Sequence, residues 1–259
     1  MAALLRKWRL PILYGDTCIL WCGPTTAGQP ANKLLAVKKS SGETVWEHAE
    51  KVTSWGTPII VNIDGIDQLL YCPEYQLKSA DPVTGKELWR CDGLMEYVYT
   101  SPLYSPELRI AVAMSGYNKS ALAVKVKPGS SGDITKERLW HHPKNNQRVG
   151  SGIIISDHVY ILEDNGTPKC YNLKSGAELW QVAKRPTGTN WGSMVNADGR
   201  LYCLTRDGST VVFAASPKYE VLAVNRLGQG QSTNSSPAIS NGEIFLRTNQ
   251  NLWCISEKR

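Results

Sequence analysis

A chain of 259 residues with 42% hydrophobic and 20% charged residues has the balance of a soluble globular protein, and its 22 glycines and 14 prolines suit a fold that turns often. The formal charge of +6 comes from lysines and arginines scattered through turns rather than gathered in runs, which argues against nucleic acid as a partner. No apolar run approaches the roughly 20 residues of a membrane-spanning helix, and the apolar start of the chain is too short for a secretory signal, so neither a transmembrane segment nor a signal peptide is expected.

In chain order, residues 4–10 read as an outer strand, with Trp8 a worn copy of a position that recurs later. The first repeat, 11–46, carries a strand at 34–37 and ends on Val45-Trp46. The second, 57–89, runs through strands at 57–61, 68–71 and 75–79 to Leu88-Trp89. The third, 100–140, has strands at 100–104, 109–113 and 121–124 and ends on Leu139-Trp140. The fourth, 150–180, has strands at 150–155, 158–162 and 169–172 and ends on Leu179-Trp180. The fifth, 192–223, has strands at 192–195 and 200–204, with Ala223 in the tryptophan slot. The sixth, 235–256, has strands at 235–239, 243–246 and 252–255 and no fourth. If the array closes into a six-membered ring, 4–10 supplies that missing strand.

The four tryptophans Trp46, Trp89, Trp140 and Trp180 are spaced 43, 51 and 40 residues apart. A period of roughly 40 to 50 residues marks one supersecondary unit copied along a chain, each copy burying its apolar face only against its neighbours. Short strands punctuated by Asp64-Gly65, Asp198-Gly199 and Asn241-Gly242 describe a four-stranded antiparallel meander, and no stretch sustains a helical period. The expected fold is therefore an all-β propeller of about six four-stranded blades, or a fragment of a seven- or eight-bladed ring, forming a single domain over 1–259.

The connection before three of the four tryptophans is more specific still. It reads Ala36-Val37-Lys38-Lys39-Ser40-Ser41-Gly42-Glu43-Thr44-Val45-Trp46, with close copies at 79–89 and 170–180. A small residue stands ten positions before the tryptophan, and a Ser/Thr-Gly pair four to five before it. The glycine suits a turn at positive φ, and the small residue leaves room for an indole to lie flat on main chain.

This pattern resembles the tryptophan-docking repeat of the pyrroloquinoline quinone (PQQ) repeat family of quinoprotein-like β-propellers. The resemblance implies that Trp46, Trp89, Trp140 and Trp180 are structural blade-to-blade contacts. It embraces PQQ-dependent alcohol dehydrogenases and a protein-assembly lipoprotein of the bacterial outer membrane, so fold and function separate here. The enzymes imply a quinone held between a tryptophan and a disulfide of adjacent cysteines in many members, with calcium beside it. Cys18, Cys22, Cys72, Cys91, Cys170, Cys203 and Cys254 include no adjacent pair, and most lie within apolar strand patterns as small buried hydrophobes.

Candidate sites separate into two kinds. The loop 62–67 places oxygen side chains at alternate positions, but its Asp-Gly centre reads as a hairpin and not a calcium loop; His141-His142 point to opposite faces of a strand; Asn118-Lys119-Ser120 matches a glycosylation acceptor as many turns do. The second kind repeats. Just before the innermost strands stand Trp55, Tyr99, Arg148, Asn190-Trp191 and Asn234, whose ends converge on one mouth of a propeller. The reading is a non-catalytic, monomeric scaffold of the bacterial envelope or periplasm that binds a protein or peptide through these residues, with no catalytic residue, metal or cofactor expected. The alternative is a PQQ-dependent, calcium-requiring dehydrogenase or a fragment of one.

Overall fold

The alternating apolar positions of each repeat pair into meanders because only that arrangement gives both faces of so short a sheet something to cover. The computed structural model describes residues 10–22, 32–50, 54–145, 149–180, 182, 184–186 and 188–257, which hold six sheets and almost no helix. They fall into two compact units, Met1–Lys144 and Asn145–Arg259.

In the first unit, blade one is β1 (Ile12–Tyr14), β2 (Thr17–Cys22), β3 (Asn32–Lys38) and β4 (Thr44–Glu50), each hydrogen-bonded to the next. Blade two is β5 (Ile59–Ile63), β6 (Ile66–Tyr71), β7 (Gln76–Ala80) and β8 (Glu87–Asp92). Blade three begins with β9 (Leu103–Ser105), β10 (Ile110–Met114) and β11 (Lys119–Lys125). An insertion follows, carrying the two-residue β12 (Gly132–Asp133) and a short 3-10 turn at Thr135–Glu137, before β13 (Arg138–Asn145) completes the blade. Strand β12 adds in parallel to β8 through Gly132 opposite Trp89 and Asp133 opposite Arg90, giving blade two a fifth strand. This insertion, unforeseen in the sequence, accounts for the long step of 51 residues between Trp89 and Trp140.

The second unit holds β14 (Ile153–Ile155), β15 (His158–Leu162) and β16 (Pro168–Asn172) in blade four, then β17 (Val195–Ala197), β18 (Arg200–Leu204), β19 (Ser209–Ala214) and β20 (Val221–Arg226) in blade five. Blade six is β21 (Ala238–Ser240), β22 (Glu243–Arg247) and β23 (Leu252–Ile255). The expected tryptophan strand of blade four is reduced to a single bridge between Tyr171 and Glu178, followed by a bond from Leu179 N to Cys170 O. The inner strands also start two or three residues later than predicted. In the second unit the leading Gly150, Ser151, Gly192 and Ser193 are engaged in contacts with the next blade, and prolines such as Pro58 have no N–H for a ladder. The segment 4–10, expected to close a ring, lies outside the described residues apart from Leu10.

The repeated connection does what its composition suggests. Gly42, Gly85 and Gly176 adopt φ of 75°, 72° and 72°, the left-handed turn that side chains resist. Ala36 lies directly across from Trp46 and Ser79 from Trp89, with a register shift immediately after each pair, so the small residue is the cross-strand partner that makes room for the indole. Trp46 of blade one then rests on the turn of blade two. A Cβ at Gly85 would come within 2.6 Å of its ring, and Trp46 Nε1 donates to Pro82 O at 3.1 Å. Trp180 repeats the reach in the second unit, donating to Ser216 O at 2.9 Å among Tyr160, Phe213 and Tyr219. Trp89 departs from this: its Nε1 donates to Gln68 Oε1 at 2.8 Å within its own blade, where β12 covers its strand.

Of the cysteines, Cys72, Cys91, Cys170 and Cys203 are buried and reduced, and burial pushes their thiols up, Cys91 to about 11 and Cys170 to about 12. Cys254 is the exposed exception, and Cys18 and Cys22 sit at opposite ends of β2, which pairs along its length with β3.

Two outcomes follow from this packing. Gly85→Ala and Gly42→Ala impose the same left-handed conformation on a Cβ, about 1–2 kcal/mol, but only the former meets an indole, whereas Gly42 has open space around it. Urea denaturation should show Gly85→Ala losing about 1–3 kcal/mol more than Gly42→Ala; equal losses would refute the contact. In the native protein a thiol reagent followed by mass spectrometry should label Cys254 first and leave Cys72 and Cys203 unlabelled until denaturant is added.

Candidate functional site

The ends of the inner strands are built from a four-residue register: a buried residue, a more exposed one, a glycine or hydroxyl residue, then a hydroxyl residue. Ser54-Trp55-Gly56-Thr57, Val98-Tyr99-Thr100-Ser101, Asn190-Trp191-Gly192-Ser193 and Thr233-Asn234-Ser235-Ser236 follow it. Glycine is required at two of these third positions, Gly56 and Gly192, because backbone meets backbone there. A Cβ on Gly56 would collide with Thr100 O in the first unit, and one on Gly192 would lie 2.5 Å from Ser235 O in the second. The fourth position is an inter-blade clasp in the second unit, where Ser151 N donates to Ser193 Oγ at 2.9 Å and Ser193 N to Ser236 Oγ at 2.8 Å.

The polar residues of the first position turn inward to hold this clasp. Asn190, expected to line a mouth, is 2% exposed; its Nδ2 donates to Gly192 O at 2.9 Å and its Oδ1 accepts from Gly192 N at 3.2 Å. Burial of an amide demands that both its ends be satisfied, and the blade's own backbone satisfies them. Ser54 Oγ accepts from Gly56 N at 3.3 Å, and Thr233 and Ser235 both donate to Arg247 O, at 2.6 and 2.7 Å. Arg148 lies outside the described residues.

The large residues of the second position stay partly exposed and find partners on the turns joining second and third strands, which a meander returns to the same end of the blade. In the first unit Trp55 stacks on Tyr99, centroids 4.7 Å apart and planes 24° apart, and Tyr99 meets Tyr117 of the β10–β11 turn edge-on at 5.8 Å. In the second unit Arg206, from the β18–β19 turn, lies over Trp191 with Cζ 4.4 Å from the ring centre, while its Nε donates to Asn234 Oδ1 at 3.1 Å. Its main chain is tied on both sides, Arg206 N to Thr189 O and Thr233 N to Arg206 O. Tyr117 and Arg206 escaped the sequence reading. Their place in the turns opposite the inner-strand starts was the available signal.

The other candidates resolve locally. Asn62 Oδ1 caps Gly65 N and its Nδ2 donates to Asp67 Oδ1, so 62–67 is a hairpin. His141 Nε2 contacts Gly93 O at 2.8 Å, while His142 lies 5.0 Å from the Trp140 ring, so the two histidines diverge. A shallow cleft of about 370 Å³ is lined by His48, Glu50, Glu74, Tyr75 and Lys78 among others. Its buried Glu50 is neutralised by Lys78 Nζ at 3.1 Å and accepts from Tyr71 OH, whose ionisation burial pushes far up. Among the described residues no helix is long and apolar enough to cross a membrane.

The fold is shared with solved structures of low identity. BamB from Moraxella catarrhalis matches with a TM-score of 0.67 at 15% identity, over 92% of this chain and 66% of that one. The computationally designed Ika8 protein matches at 0.63 and 14%, over 91% and 66%, and the designed Ika4 protein at 0.52 and 14%, over 67% and 99%. This chain thus spans just under two thirds of the length of the first two. No curated protein matches it. The family model described as outer membrane protein assembly factor BamB matches residues 30–259, and the chain belongs to that family of PQQ-repeat β-propellers.

Proposed function

We propose that this protein is a non-catalytic recognition scaffold of the bacterial envelope, acting as a monomer in outer membrane protein assembly by holding a protein partner against the ends of its blades. The observation that carries this is the division of roles at the inner-strand ends. Ser193 and Ser236 are engaged in bonds that join blades, and Thr233, Ser235 and Asn190 in bonds that brace their own loops, whereas Trp55, Tyr99 and Trp191 with Arg206 keep exposed surface. Large amphipathic rings and an arginine braced by an indole suit recognition by packing and charge, the groups that dominate binding at protein interfaces. A second contact would come from strand addition along β20, whose Val221, Leu222 and Val224 are 36%, 45% and 43% exposed.

The runner-up, a dehydrogenase, would place PQQ and calcium among the same residues. They do not fit that group. One face of Trp55 is taken by Tyr99 and one of Trp191 by Arg206, the Asn190 amide is committed to Gly192, and no three His, Cys, Asp or Glu side chains gather among the described residues.

Expressed with a tag in a bacterium that has an outer membrane, the chain is expected to co-purify with envelope proteins of the assembly apparatus. The double substitution Trp191→Ala, Arg206→Ala should lower that recovery about tenfold with the melting temperature retained. Recovery that is unchanged refutes the blade-end surface, and absence of any envelope partner refutes the scaffold. Titration with PQQ and calcium should give neither an ordered quinone absorbance nor alcohol oxidation; the appearance of both would reinstate the enzyme.

A further inference from the structure

The first unit concentrates tyrosines in a way its fold does not require. Four rings touch in a line: Trp55 on Tyr99 at 4.7 Å, Tyr99 to Tyr117 at 5.8 Å, Tyr117 to Tyr97 at 5.2 Å. Tyr97 and Tyr117 are 44% and 45% exposed, so these rings are not core. They are also held against conformational preference. Tyr97 and Tyr117 adopt φ of 64° and 54°, and the neighbouring Tyr75 and Asn118 75° and 58°. Positive φ is an outlier for a bulky side chain and persists only where surrounding bonds impose it. Those bonds are present: Gly116 N donates to Tyr97 O at 2.7 Å, Tyr97 N to Glu74 Oε1 at 3.1 Å, Trp55 N to Val98 O at 2.8 Å, and Met95 N to Ser115 Oγ at 2.9 Å. Glycine or asparagine at these turns would satisfy the same backbone with less strain, so the rings serve something other than the turn.

Charge identifies what they would take. Glu74 accepts from Tyr97 N, and Glu96 adjoins the same tyrosine in sequence, with Lys119 Nζ 3.5 Å from its Oε2. The surroundings are therefore net acidic in a chain of formal charge +6. Burial chiefly, opposed by the bond from Tyr97 N and aided by the charge of Glu96, raises Glu74, whereas a backbone N–H and Lys119 hold Glu96 below the usual carboxylate range; both carboxylates raise Tyr75 behind burial. A cation beside Glu74 would meet a carboxylate whose charge burial opposes, and aromatic faces attract cations through their quadrupole. The rings turn through 24°, 64° and 71° from one to the next, an angular array rather than the flat platform on which a sugar would lie.

We infer that Trp55, Tyr99, Tyr117 and Tyr97, with Glu74 and Glu96, form a site for an arginine or lysine side chain presented by an extended segment of the partner protein. This deepens the scaffold reading and rests on it.

The test uses the full ¹⁵N-labelled chain and three blocked peptides, Ser-Arg-Ser-Arg-Ser, Ser-Glu-Ser-Glu-Ser and Ser-Pro-Pro-Pro-Ser, with the indole N–H of Trp55, assigned through Trp55→Phe, as reporter. The arginine peptide alone should shift that resonance to saturation, more weakly at high salt. Tyr117→Ala and Glu96→Gln should each raise its dissociation constant about two- to fivefold. Tyr97→Gly, which suits the backbone better, should weaken binding while keeping or raising the melting temperature; unchanged binding there would mean the ring is ornamental and the site wrong. No shift with the arginine peptide, or an equal shift with the acidic or proline peptide or with chitin oligosaccharides, overturns the inference. If the peptide fails while envelope co-purification persists in Tyr117→Ala, only the cation site falls; if co-purification is lost in every variant and in the parent, the scaffold falls with it.

Discussion

Close approach of main chain to main chain at the inner ends of the blades is the constraint on which the rest depends. Gly56 against Thr100 O and Gly192 against Ser235 O allow no side chain, and at this spacing the serine hydroxyl of one blade reaches the N–H of the one before. With that end fixed, the outer end must be fastened separately, because a twisted sheet diverges from its neighbour as it runs outward. A tryptophan is long enough to span that gap. Trp46 and Trp180 each bury an indole and end on a carbonyl 36 residues ahead. Glycine at one end and tryptophan at the other are two responses to one geometric taper.

The same taper sets where recognition can occur. Small residues at the inner ends are taken up in bonds within and between blades. Directly beside them, the turns between second and third strands rise to the same level and carry residues under no such restriction. Tyr117 and Arg206 come from these turns and meet Tyr99 and Trp191, which come from the strand starts. A rigid base with variable turns standing on it is a common way to support binding on a repeat fold. It also explains why membership in a family of quinone-related repeats carries little information about a reaction: the repeat specifies the base.

Blade two shows how the pattern bends without breaking. Its Trp89 has the right small partner, Ser79, and the right turn at Gly85, yet its indole N–H goes to Gln68, which also accepts from Ser79 Oγ. The inserted β12 adds to the strand that carries it and Ile134 joins the apolar cluster around it. A buried indole must place its N–H somewhere. Blade five bends it differently, with Ala223 opposite Val212 on an outer strand that is largely exposed.

The period of the tryptophans, the Ser/Thr-Gly turns and the alternation of apolar residues determined the fold class, the strand meanders and the small cross-strand partners of Trp46 and Trp89, because each depends on contacts whose register is local or repeats with the chain. Sequence also singled out Trp55, Tyr99, Trp191 and Asn234 as candidates, since a larger residue just before the glycine or hydroxyl residues of an inner strand is conspicuous at a crowded axis. What it could not determine is which way a polar side chain turns: Asn190 has the residue type of a ligand and spends itself on its own backbone. Nor could it pair Arg206 with Trp191, or Tyr117 with Tyr99, or set Tyr97 at positive φ. Those contacts join segments 15 to 20 residues apart through turns whose shape is imposed by neighbouring backbone, and only the tertiary structure decides them.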